Sequence, residues 1–273
     1  MQISAFYENI LDGVMNDGID MKAALSQLKQ DGMDKVYFSF DTLKNDTDEK
    51  IMQIIQELEL GVEGLYGFVN FDKSPGDDTY QRMIDMAAKV NAGNVLIVPG
   101  FITADDKGKE KEILENMWMG LKNAVEYGKK QGIAVSIEDF DGLDAPYCKV
   151  DGVAEFLKNV PGLQFSFDTG NFVMYHEDEE EAFELFKDKI CTVHLKDRGP
   201  GTEQPVIICA DGEKVCTVPV GDGFIHIKEI LSKLKQQGYE GGLIAEMYGH
   251  TAENMYDGIR KSVKWIKESW EKV

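Results

Sequence analysis

A chain of 273 residues with 43% apolar content can bury one large core, and no apolar run approaches the length needed to span a membrane. The 49 acidic against 29 basic residues give a net charge of -20, which opposes binding to nucleic acid and to anionic membrane surfaces. Cys148, Cys191, Cys209 and Cys216 show no CxxC spacing and residues 1–11 carry no basic side chain, so reduced thiols, no secretory signal and a cytoplasmic location are expected.

Residues 3–7 read as a weak first strand, followed by a helical pattern over 21–30 and a strand over 35–40. The same alternation continues with a helix over 48–60, a strand over 64–71, a helix over 77–91 and a strand over 94–99. A helix over 107–131 then leads to strands over 134–140, 163–169 and 190–196. Gly32, Gly61, Gly93 and Gly132 lie just past four of these helices, where left-handed caps are expected. Residues 206–209 and 215–218 are β-rich runs around Asp211-Gly212, the signature of a hairpin that serves as a lid, a subunit contact or a plain surface excursion. A helix over 225–236 and a strand over 242–248 follow. Met255, Ile259, Val263, Ile266 and Trp270 then mark a closing helix over 252–270.

About eight strands alternating with helices predict an α/β fold, a single (β/α)8 barrel domain over 1–273 with a β-hairpin inserted after the seventh strand. Such barrels place their chemistry at the carboxyl ends of the strands. Four strings sit there: Ile137-Glu138-Asp139, Phe167-Asp168-Thr169-Gly170-Asn171, Val193-His194-Leu195-Lys196-Asp197 and Ala245-Glu246-Met247. The intervals between Glu138, Asp168 and His194 each match one βα unit, so the four strands bring their ends to one mouth. Singly, each acid reads as a solvated strand end and the histidine as structural. Together, three carboxylates and one imidazole form a ligand set for one divalent cation, with Mn favoured and Co, Mg or Zn as alternatives.

The order Glu138, Asp168-Thr169-Gly170, His194-Leu195-Lys196-Asp197 and Glu246 resembles the xylose-isomerase-like barrels called sugar phosphate isomerase/epimerases. So does Val218-Pro219-Val220-Gly221-Asp222-Gly223, with its following helix and strand. The resemblance implies that Glu138, Asp168, His194 and Glu246 are the metal ligands, and that Glu138 and Glu246 are also the acid/base pair. It implies a divalent-metal-dependent isomerase or epimerase acting on a ketose, sugar phosphate or related polyol through a metal-stabilised cis-enediolate. Asn171 departs from the pattern, since these epimerases usually carry histidine there, and an amide cannot carry a proton at neutral pH. A dehydratase of a keto-inositol and a noncatalytic sugar-binding barrel remain the alternatives.

Lys196 and Arg198 are candidates to hold a substrate hydroxyl, carboxylate or phosphate, against a reading of both as surface charges. Asn171, Tyr7 and Tyr66 complete the substrate-binding candidates, with Phe40, Phe68 and Tyr248 as further members of an apolar wall. Of the remaining histidines, only His250 lies near the expected mouth. Gly199-Pro200-Gly201 and Gly221-Asp222-Gly223 lack the spacing of a nucleotide-binding loop. The expected partner is a small sugar or sugar phosphate, with no nucleic acid and no membrane, and with homo-oligomerisation open.

Overall fold

The computed structural model describes residues 1–44, 48–202, 205–251 and 253–273. In chain order its first half comprises strand β1 (Gln2–Phe6), helices α1 (Tyr7–Asp17) and α2 (Met21–Asp31), β2 (Lys35–Ser39), α3 (Phe40–Leu43), α4 (Asp48–Glu57), β3 (Gly61–Phe68), α5 (Thr79–Lys89), β4 (Asn94–Val98) and α6 (Glu110–Gln131). Then come β5 (Ala134–Glu138), α7 (Val150–Asn159), β6 (Gln164–Asp168), α8 (Glu179–Phe186) and β7 (Ile190–Leu195). The last part comprises β8 (Asp197–Pro200), β9 (Ile207–Ile208), β10 (Lys214–Val218), α9 (Ile227–Gln236), β11 (Gly242–Ala245) and α10 (Met255–Lys272).

Strands β1 to β7 and β11 close into a parallel barrel in the order β1-β11-β7-β6-β5-β4-β3-β2. This is the expected eight-stranded βα architecture. Strand alternation divides its apolar side chains into two sets. Phe6, Tyr37, Leu96 and Ile244 pack inside the barrel, whereas Ala5, Val36, Leu65, Ile97 and Val193 face the helices in the larger core. Among the described residues, no helix is long and apolar enough to cross a membrane. Cys148, Cys191, Cys209 and Cys216 are all free.

The inserted hairpin follows the seventh strand as expected, but it is part of a three-stranded sheet, β8-β10-β9. Strand β8 begins one residue beyond β7, so the insertion continues directly from the strand that carries His194. Helices α1, α3, α7 and α8 are additional to the elements expected from the sequence. The expected start of the last helix at residue 252 lies outside the described residues; from Met255 the helix is as anticipated.

Two of the four glycine caps differ from expectation. Gly32 and Gly132 take positive φ, at 120° and 72°, but after α4 and α5 that conformation falls on Glu59 and Asn91, at 50° and 57°. Gly61 instead opens β3, where an added Cβ would come within 2.8 Å of the Lys35 side chain on the neighbouring strand. Close approach, not chain reversal, requires glycine there.

The helical ring is locked where its ends meet. On α10, Ile259, Val263 and Ile266 are fully buried, each contributing about 1.5–3 kcal/mol. Beside them, Asp31 of α2 accepts from Arg260 Nε at 2.7 Å and pairs with Lys264 Nζ at 3.2 Å. Burial alone would raise the Asp31 carboxyl, but hydrogen bonds from Arg260, Lys264 and Gln27 outweigh it and hold the group below its ordinary value. The contribution is therefore complete above the unfolded-state value and is lost as pH falls through the lower folded-state value. Asp31→Asn is expected to lower unfolding free energy at neutral pH by about 1–2 kcal/mol. Denaturant midpoints across pH check this, because the gap between the two proteins must narrow as pH falls below the ordinary carboxyl range.

Candidate metal centre

Glu138 ends β5, Asp168 ends β6, His194 is the penultimate residue of β7, and Glu246 directly follows β11. These strands are adjacent in the barrel, with Asp168 level with His194 and His194 level with Ile244. One donor atom from each of Glu138, Asp168, His194 and Glu246 lies within 4.8 Å of the others, and all four residues are buried. His194 Nδ1 is 2.8 Å from Glu138 Oε1 and 3.1 Å from Glu246 Oε2. Edge contacts from Phe6 and Tyr37, with ring centroids at 5.1 and 5.3 Å, fix the imidazole plane.

The electrostatics are those of a site with excess buried negative charge. Burial pushes the Glu138 carboxyl up, with His194 opposing, and pushes Asp168 up to about 8 against the pull of Lys196. Burial would also raise Glu246, but Lys196 and His194 hold it down at about 2. The same carboxylates overcome the burial of His194 and lift it to about 10. Asp168 Oδ2 and Glu246 Oε2 are buried without a hydrogen-bond partner, as is His194 Nε2. The 3.1 Å approach of Glu246 Oε2 to His194 Nδ1 is an ion pair, because that nitrogen has one proton and directs it at Glu138. Unpartnered carboxylate oxygens converging on one imidazole fit a divalent cation, which would supply the missing positive charge and coordination.

Lys196 and Arg198 are buried, so neither is a surface charge. Lys196 Nζ lies 2.6 Å from Glu246 Oε1, 3.3 Å from Asp168 Oδ2 and 2.9 Å from Asn171 Oδ1. Arg198 sits behind the wall of the site. It donates to Gly170 O, Thr217 Oγ1, Asp141 Oδ2 and Asn171 Oδ1, at 2.7 to 3.1 Å. The Asn171 oxygen is therefore taken twice, which leaves Nδ2 as its remaining polar group.

Glu138 and Glu246 line a cavity of about 520 Å³ whose wall includes Phe6, Tyr66, Phe68, Leu96, Val98 and Phe140. Tyr66 reaches it as expected, and so do Phe68 and Tyr248; the Tyr66 and Tyr248 hydroxyls are 2.5 Å apart. Tyr7 does not. It stacks on Phe38 at 4.9 Å between barrel and helices, because alternation along β1 aims its neighbour Phe6 inward. Phe40 likewise belongs to the outer core. His250 binds Thr217 O through Nδ1 at 3.0 Å, away from the four donors. The hairpin contributes Ile207 to the wall, so it is more than a surface excursion. A larger cleft of about 720 Å³ opens at the other end of the barrel, by Lys35 and Gly61, and holds none of these groups.

Sequence reasoning passed over Asp139, Asp141 and Thr217. Asp139 Oδ1 accepts from Asp168 N at 2.9 Å and so orients that strand end. The run Glu138-Asp139-Phe140-Asp141 was the available signal: three acids in four residues at a strand end are too many for solvation alone.

A family model described as xylose isomerase-like TIM barrel matches residues 47–269. The chain belongs to that family. L-ribulose-5-phosphate 3-epimerase UlaE of Salmonella paratyphi A is 29% identical over 155 residues, which cover 56% of this chain and 50% of that protein. The chain thus spans about half the length of the curated relatives it matches. Among solved structures, the IolI protein with a bound zinc atom superposes with a TM-score of 0.77 at 17% identity, covering 100% of this chain and 99% of that one. D-Allulose 3-epimerase from Methylomonas sp. in complex with D-allulose gives 0.73 at 15%, covering 98% and 97%. At such identities the likeness is one of fold.

Binding of a divalent cation at about 100 times its Kd is expected to stabilise the protein by about 2.7 kcal/mol. Thermal melts with and without the ion check this. Asp168→Asn is expected to remove most of the stabilisation, and an unchanged shift would exclude Asp168 as a ligand.

Proposed function

We propose that the chain is a divalent-metal-dependent ketose epimerase or isomerase in which Glu138 and Glu246 are the acid/base pair. The observation that carries this reading is their placement: two buried carboxylates, of Glu138 at the end of β5 and Glu246 just past β11, lie 2.8 and 3.1 Å from the same imidazole nitrogen, and both line the cavity. Asp168 and His194 complete the ligand set. Carboxylate-rich donors favour Mn over the thiolate-preferring metals, and we take Mn as the working ion. Similarity to ribulose-phosphate and allulose 3-epimerases supports epimerisation beside a carbonyl.

When bound, the cation would polarise a ketose carbonyl and stabilise the charge of a cis-enediolate. One glutamate removes the proton from the adjacent carbon, and the other returns one to the opposite face, inverting the centre. Return to the neighbouring carbon isomerises instead. Lys196, bonded to Glu246 at 2.6 Å, fixes that carboxylate and keeps it ionised. Asn171 lines the cavity with its oxygen already bonded to Lys196 and Arg198, which supports Nδ2 as a donor to a substrate hydroxyl. The reading extends to a reducing, cytoplasmic compartment, supported by the four free thiols.

Incubation with Mn and a panel of ketoses in deuterium oxide tests the proposal. One solvent deuterium at the carbon beside the carbonyl, with no loss of water, is the expected product. Glu138→Gln and Glu246→Gln are each expected to lower turnover about 10²-fold or more. Loss of water would assign a lyase, and no exchange with any sugar would leave a binding protein.

A further inference from the structure

We infer that the substrate is an uncharged, unphosphorylated ketose whose far end, away from the reacting carbons, lies against an apolar wall. This rests on the reading that Glu138 and Glu246 mark the reacting end. A terminal phosphate would arrive as a dianion, and burying it requires basic side chains or free backbone N–H groups.

The cavity offers no uncommitted basic side chain among the described residues. Among the described residues, Lys196 is the one lysine or arginine lining the cavity, and it is already engaged by Glu246, Asp168 and Asn171. The nearby Arg198 has distributed its donors over Gly170, Thr217, Asp141 and Asn171. Residues 45–47, 203, 204 and 252, outside the described set, include no lysine or arginine. Three carboxylates, of Glu138, Asp141 and Glu246, line the same space and oppose a second anion.

The backbone gives a second, independent argument. In (β/α)8 barrels, phosphates settle on N–H groups of the loops after the seventh and eighth strands. In this chain such a set exists after the seventh: Gly221 N, Gly223 N and Ile225 N converge within 2.9 to 3.3 Å of one carboxylate, that of Asp197. Asp197 also accepts from Arg198 N at 2.9 Å. A Cβ on Gly223 would come within 2.1 Å of Asp197 Oδ1, so the loop is shaped around this internal anion. The anion-binding donors of the loop are filled by the protein itself.

Much of the remaining lining, Phe68, Val98 and Phe140 among it, is apolar and suits C–H faces and unsubstituted carbons. The test uses the Mn-loaded protein with ketopentoses and ketohexoses, their 5- and 6-phosphate esters, and 6-deoxy ketohexoses. Deuterium exchange gives kcat/KM, and calorimetry gives Kd. The free sugars are expected to exceed their esters by on the order of 10²-fold in kcat/KM, and the 6-deoxy sugars to stay within about tenfold of their parents. Equal or better handling of the esters overturns the inference, and a larger fall for the deoxy sugars overturns the apolar end. If no sugar exchanges deuterium, the epimerase reading fails, and the calorimetric pairs still decide: tighter binding of the ester overturns the inference, and tighter binding of the free sugar upholds it.

Discussion

The burial of negative charge at the carboxyl mouth of the barrel governs the rest of this molecule. Glu138, Asp139, Asp168 and Glu246 are all removed from water, and like charges that close raise one another's cost of ionisation. Two cations inside the cluster, His194 and Lys196, offset part of that cost through contacts of 2.6 to 3.3 Å. The remainder persists at Asp168 Oδ2 and Glu246 Oε2, which lie near these cations but accept no hydrogen bond. A fold that only needed stability would fill these positions with apolar residues, as barrel interiors usually do. Glu138, Asp168 and Glu246 form with His194 a group that could hold a divalent cation.

Around this centre the chain spends its other polar groups on internal order. Arg198, although fully buried, ties Gly170, Asn171, Asp141 and Thr217 into one frame. Thr217 continues it to the carbonyl of Tyr248, just past Glu246. Asp197 organises the loop before α9 by accepting from three of its amides. Residues 196 to 198 thus divide their work, with Lys196 turned to the carboxylates, Asp197 to the loop and Arg198 to the hairpin sheet. What faces the cavity beyond the metal-type donors is mainly aromatic and aliphatic.

Much of this was legible without coordinates. The period-two runs and helical spacings placed the eight barrel strands in chain order, and the end of each of four strands named its ligand candidate. The misses have physical causes. Tyr7 and Phe6 are neighbours, and a shift of one residue along a strand exchanges the inner and outer faces. Gly61 and Gly93 lie four residues past their helices, and Glu59 and Asn91 take the left-handed conformation instead. The third strand of the hairpin sheet, β8, went unseen because Asp197-Arg198-Gly199-Pro200 has no strand pattern of its own and pairs only through β10.

By itself, the sequence determined the βα alternation, the acidic balance and the presence of three carboxylates and an imidazole at strand ends. These follow from residue type and local periodicity, which are properties of neighbours along the chain. Only the tertiary structure decided that Lys196 is spent on Glu246 and Asp168, that Arg198 is a buried brace, and that Asp197 fills the amide nest before α9. Those outcomes depend on distances between residues 20 or more positions apart, such as Arg198 and Asn171 or Asp197 and Gly221. Barrel closure sets them, and local pattern carries no record of it.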